Sequence, residues 1–248
     1  MNASVAGVRE EGSGHAINRI HALLTIQSVV VVLLSINRLS SLTLGYVAPN
    51  EFLRWVDFNN MLVLPLISLV AFYLLKKQLE RNPRAAAAAW QLGLGVVFIV
   101  GVYLLGASYG DHEVTNYLHA RFCPAEDTGA LCSIIRYNDD EFSHYLFFIG
   151  FVLVNASLLL LQVAFPHPAL LTTRDKILLV VNGVFIAAGI FANLAFEQIG
   201  LDLIVVAILA ALSLWLLWRR GAQPLAIYYS MAFSIGLVAT AIYKALGR

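Results

Sequence analysis

The chain has 248 residues, 60% of them hydrophobic and 12% charged, whereas an ordinary soluble domain is about a quarter charged. Its formal net charge of +1 gives no basic excess to attract nucleic acid, and the charges are scattered between apolar runs instead of gathering in tracts. These values exclude a soluble or nucleic-acid-binding protein. They predict an all-α, polytopic integral membrane bundle, a single transmembrane domain over 1–248.

The first residues are polar and mixed in charge (Arg9, Glu10, Glu11, His15, Arg19). They are unlike the short basic start of a cleavable signal peptide, so the first helix is expected to be retained as its own insertion signal. Crossing about 30 Å of hydrocarbon takes roughly 20 mostly apolar helical residues. Seven stretches qualify, near 20–36, 58–75, 85–109, 144–165, 177–199, 203–218 and 225–243. The first and sixth are short and need flanking residues or a tilted bundle.

Lys and Arg favour the cytoplasmic side of a membrane. One face receives ten of them: Arg9, Arg19, Lys76, Lys77, Arg81, Arg84, Arg174, Lys176, Arg219 and Arg220. The other receives six: Arg38, Arg54, Arg121, Arg136, Lys244 and Arg248. The expected topology therefore has the N-terminus inside and the C-terminus outside. The membrane expected is a bacterial inner membrane or a eukaryotic endomembrane or plasma membrane, with membrane lipids as the surrounding partners.

The connection at 37–57 resembles a partly amphipathic interfacial segment carrying Phe52 and Trp55. In the third span Gly106 and Gly110 have the small-xxx-small spacing that lets helices approach closely. The longest connection, 110–143, is too short to bury a core and is expected as an outer loop. It holds the only two cysteines, Cys123 and Cys132. Their spacing is neither a CxxC redox motif nor a zinc pattern, and a disulfide closing a small loop is expected in an oxidising compartment.

Between Asp111 and His144 lie three of the six histidines, in the sequences DHEVTNYLHARFC and RYNDDEFSHY. On a helix His112, Asn116, His119 and Cys123 share one face, and Glu113 and Tyr117 form the adjoining stripe. Asp140 and Glu141 stand four and three residues before His144, so both acids can neighbour its imidazole. Imidazole and carboxylate are usual ligands of zinc and iron, and two helices emerging side by side can present them to one point. The metal ligands expected are His112, His119, His144 and Asp140, with Glu113 or Glu141 as general base. Asn116, Asn193 and Glu197 are expected to support them, Glu197 because an acid at the edge of hydrocarbon needs a partner or water.

A single ExxH falls short of the doubled motif of di-iron bundles, and HExxH and GxSxG are absent. A solvated loop with acids favoured by a helix N-terminus is the plainer reading of the same residues. Asn155, Gln162 and Asn182 lie deeper and are expected to hydrogen-bond between helices, while His15, His21 and His167 are expected as interfacial residues without a catalytic role. Three functions fit: a metal-dependent hydrolase or oxygenase acting on a lipid or apolar substrate at the outer face, a small-molecule or ion transporter, and a non-catalytic accessory or lipid- or pigment-binding component. Charges are scarce in mid-span and no inverted repeat is visible, which weighs against the transporter.

Overall fold

A computed structural model describes residues 2–81, 88–124, 129–196 and 201–246. Among these every regular element is a helix, and seven helices are long and apolar enough to cross a membrane. They are α1 (Asn2–Leu39), α2 (Trp55–Leu79), α3 (Ala88–Phe122), α4 (Ala130–Ala164), α5 (Thr173–Phe196), α6 (Leu201–Arg220) and α7 (Pro224–Ala245). Each side-chain run supplies the hydrocarbon length, and punctuation at Pro224 and the positive φ of Gly221 sets the turn between α6 and α7.

The helices pack as a ring of neighbours: α1 against α2 and α5, α5 against α7, α7 against α6, α6 against α4, α4 against α3, and α3 back against α2. The core within this ring is apolar, with Leu24, Phe98, Leu158, Leu179, Tyr228 and Phe233 all almost fully buried. The α3–α4 approach is set at Gly101, where an added Cβ would lie 2.9 Å from the Val154 backbone nitrogen. Gly106 and Gly110, the pair expected to make a close approach, face open space. Their spacing matched the pattern, but α4 crosses α3 a turn or more earlier.

The expected outer loop at 110–143 is largely helical instead. Helix α3 runs on to Phe122 and α4 begins at Ala130, each 35 residues long. At about 1.5 Å per residue each is roughly 20 Å longer than the hydrocarbon is thick. The excess forms a helical hairpin whose polar residues pair with one another. The Cys123 and Cys132 sulfurs meet at its tip at disulfide distance, with Cα atoms 5.5 Å apart.

Two helices contain a π-helical turn, Asn59–Val63 in α2 and Tyr137–Phe142 in α4. In α2 the cause is Pro65, which has no N–H and crowds the preceding turn, so the Leu64 N–H reaches back to Asn59 O. In α4 the Ser143 N–H bonds Asn138 O, and side chains take the carbonyls thus displaced. Both turns pack against α3 at the hairpin end of the bundle.

Of the three deep polar residues, two bond between elements as expected. Asn182 Oδ1 accepts from Ser28 Oγ of α1 at 2.8 Å, and Gln162 Oε1 accepts from Leu225 N of α7 at 3.4 Å. Asn155 instead donates to Phe151 O of its own helix at 2.7 Å.

Candidate functional site

The hairpin brings the two polar segments of the sequence into contact around one acid, Asp139, which is 1% exposed. Burial follows from register: Cys132, Ile135, Asp139 and Ser143 recur at helical spacing and form the face of α4 turned to α3. Opposite them α3 presents His112 and His119, two turns apart on one face. His119 Nδ1 donates to Asp139 Oδ2 at 2.8 Å. His112 Nδ1 lies 3.2 Å from Asp139 Oδ1 and 3.3 Å from the Asp139 carbonyl. Both acceptors are oxygens, so each ring carries its proton on Nδ1 as long as no ion takes its place.

The π turn shapes this contact. The Asp139 carbonyl accepts from Ser143 Oγ at 2.7 Å as well as facing His112, and the Asp140 carbonyl accepts from His144 Nδ1 at 3.0 Å. Ser108 Oγ of α3 donates to Ser143 O at 2.7 Å and ties the helices one turn deeper. His144 is half-buried and its ring lies 5.0 Å from that of His112, centroid to centroid. Asp139 Oδ1 is buried with no well-aligned hydrogen bond, and Asp111 Oδ2 is in the same condition.

His119, Asp139 and Asp140 each offer one ligand atom such that all three lie within 4.8 Å of one another, a grouping that can hold a metal ion. Of the expected ligands, this set contains His119 and Asp140; His112 joins through Asp139, and His144 stands beside His112. Asp139 is not among the expected ligands, since the four-residue step to His144 runs from its neighbour Asp140. The signal that marks it is the Cys132, Ile135, Asp139, Ser143 stripe.

Glu113 is 3% exposed and paired at 2.5 Å with Arg38 of α1. Glu141 is exposed on the π turn, and Asn116 is exposed on α3. The expected supporting residue Glu197 and the side chain of Asn193 lie outside the described residues.

The segment between α1 and α2 folds against the same end of the bundle. It is a compact loop, not a helix, closed by Val47 N to Leu53 O at 2.8 Å and Trp55 N to Gly45 O at 2.9 Å. Arg54 binds both oxygens of Asp57, at 2.7 and 2.8 Å, and that pairing raises its pKa above the usual arginine value. The same guanidinium lies over the Tyr117 ring, 5.1 Å from its centroid. Tyr117 Oη and Arg121 Nη1 donate to the Glu51 carbonyl at 2.7 and 2.5 Å. The loop is thereby strapped to the last turns of α3, beside His119, while Leu42 and Phe52 are exposed at 80% and 73% as an interfacial segment requires.

At the opposite end His21 is buried, contrary to an interfacial placement, and donates through Nε2 to Asp175 Oδ1 at 3.0 Å, joining α1 to α5. Asp175 also accepts from Thr172 N and Oγ1 at 2.9 and 2.6 Å, and Thr172 Oγ1 in turn accepts from Asp175 N at 3.2 Å. This reciprocal pairing caps the start of α5. Comparison with family models, with curated proteins and with solved structures finds no match to this chain.

Proposed function

We propose that the chain is a membrane-embedded, metal-dependent enzyme of hydrolytic type, with a zinc or iron ion held by His119, Asp139 and Asp140 and a lipid or other apolar molecule as substrate. One observation carries this reading: a carboxylate 1% exposed keeps one oxygen without an aligned hydrogen bond while two further ligand atoms converge within 4.8 Å. A buried carboxylate oxygen without an aligned hydrogen bond is costly even beside the two imidazoles, and a divalent cation at that point would supply the missing partner. Mixed imidazole and carboxylate donors suit first-row divalent ions.

When bound, such an ion supplies Lewis acidity and an activated water. The protein's own groups handle orientation and protons. Glu113 is committed to Arg38, so the base role passes to His112, whose Nδ1 is fixed on Asp139 and whose other nitrogen remains to accept a proton. The strapped loop of Leu42 and Phe52 gives apolar substrate a lipid-facing approach to the same end.

Two considerations support a non-cytoplasmic site. The ten-to-six division of Lys and Arg favours the opposite end as cytoplasmic, and a disulfide at the hairpin tip belongs to an oxidising compartment.

The test is elemental analysis of protein purified without chelators, with His119→Ala and Asp139→Asn beside His15→Ala as an exposed control. About one equivalent of metal in the parent and control, lost in both site variants together with hydrolysis of a fluorogenic lipid ester panel, is the expected result. A metal-free parent after loading with zinc or ferrous iron overturns the proposal.

A further inference from the structure

At the end of the bundle opposite His119 and Asp139, the ends of α4 and α6 and the start of α7 enclose a cavity of about 190 Å³. Its lining is graded along the helix axes. Leu159, Leu216 and the buried Gln162 lie inside, and Arg220 and Gln223 stand at the mouth, with Ala226 forming the α7 wall. Gln162 spends its amide on Phe165 O and Leu225 N and so fixes the wall. Gln223 Oε1 accepts from His167 N at 2.7 Å, leaving its NH₂ as a donor at the mouth.

Arg220 forms no ion pair among the described residues. The two acids whose side chains are described at this end are already engaged, Glu80 with Lys76 at 2.5 Å and Asp175 with His21 and Thr172. Arg219 beside it is placed over the Trp218 ring, 5.3 Å from its centroid. The mouth therefore carries an uncompensated cation and an amide donor, and the positive end of α7 adds to them.

We infer that this cavity binds the anionic headgroup of a membrane phospholipid, its phosphate on Arg220 and the first methylenes of its chains against Leu159 and Leu216. The gradient from charge at the mouth to hydrocarbon one turn deeper is that of an amphiphile seated head outward. Size agrees: the cavity holds roughly six waters' worth of volume, room for a phosphate and a few methylenes, so the chains continue along the outside of the helices. Basic pockets between helices are a recurrent means of holding such headgroups.

The test is lipid retention by the full chain, measured by native mass spectrometry after exchange into detergent with phosphatidylglycerol or phosphatidylcholine of identical chains. Phosphatidylglycerol is expected to be retained preferentially, about tenfold less tightly in Arg220→Gln, the loss of one charge-assisted contact. Ala226→Leu keeps the charge but fills the cavity and is expected to weaken retention comparably, and Val163→Leu serves if that variant misfolds. Arg219→Gln is expected to retain lipid normally. Equal retention of the two lipids, indifference to Arg220→Gln and to filling, or displacement by millimolar inorganic phosphate alone each overturns the assignment.

Discussion

His119 Nδ1 lies 2.8 Å from Oδ2 of Asp139, across the seam between two helices whose contacting residues are 20 apart in sequence. The imidazole is partly open to solvent, its side chain 28% exposed, and the carboxylate is not, at 2%. The pair thus joins one accessible and one buried side chain at the same point.

That asymmetry predicts different consequences for the two partners. Asp139→Asn preserves shape but removes the charge that His119 and His112 share, and is expected to lower stability by about 2 kcal/mol, within the range for disrupting a buried charged hydrogen bond. His119→Ala is expected to cost less stability but as much bound metal. Thermal melts paired with metal analysis check this, and equal melting with unchanged metal in both variants would sink the site.

The Arg38–Glu113 pair gives a separate prediction. Arg38 is half exposed and Glu113 nearly buried, at 48% and 4% of their side chains. Removing Arg38 strands a buried carboxylate, whereas Glu113→Gln leaves a neutral group in its place. Arg38→Ala is therefore expected to lower the melting temperature more than Glu113→Gln does. The double variant Arg38→Ala/Glu113→Gln is expected to recover about 1 kcal/mol, a value held down by solvent screening of the arginine. Metal content is expected to survive Glu113→Gln, and its loss would make Glu113 a ligand.

Much of the fold could be read from the sequence, since seven apolar runs leave a helical bundle as the only way to satisfy the backbone in lipid. The hairpin was not legible as helix because its polar residues resemble a solvated loop until the partner helix is known. Histidine content marked the end of the bundle where His119, Asp139 and Asp140 come together. Which acid turns inward depends on how α4 is rotated against α3, and the four-residue step from Asp140 to His144 carries no sign that it is Asp139, although Asp140 does fall in the group that can hold an ion. The Arg38–Glu113 and His21–Asp175 pairs join residues 75 and 154 apart, separations about which helical spacing carries no information.

At the opposite end, His167 supplies a pH prediction. Burial holds its pKa below the ordinary histidine value; nearby Asp175 opposes that shift and His21 adds to it. A histidine whose folded pKa is depressed binds fewer protons folded than unfolded, so stability falls as pH drops below about 6.5 toward the folded pKa. His167→Gln is expected to flatten that part of the melting-temperature profile between about pH 5 and 7, leaving it unchanged above. An unaltered acid slope would show that other groups set it.

The final prediction concerns the hairpin tip. The Cys123–Cys132 pair closes a loop with a sequence separation of 9, for which the chain-entropy relation gives about 2.5 kcal/mol of stabilisation. The loop lies at the end of two helices that overrun the hydrocarbon, so its opening is expected to loosen the overrun first. Hydrogen exchange is the appropriate measurement, because it resolves local opening from global unfolding. Cys123→Ser/Cys132→Ser should raise exchange in 112–122 and 130–142 while amides in the α5–α7 contact stay protected. If Asp139 depends on the tip for its register, the same variant should bind metal more weakly with His119 and Asp139 both intact. Thiol labelling gives the control: the parent should resist alkylation until reduced, and full labelling without reductant would remove the premise. Unchanged exchange in both hairpin arms would mean that the Asp139 contacts alone hold α3 and α4 together beyond the membrane.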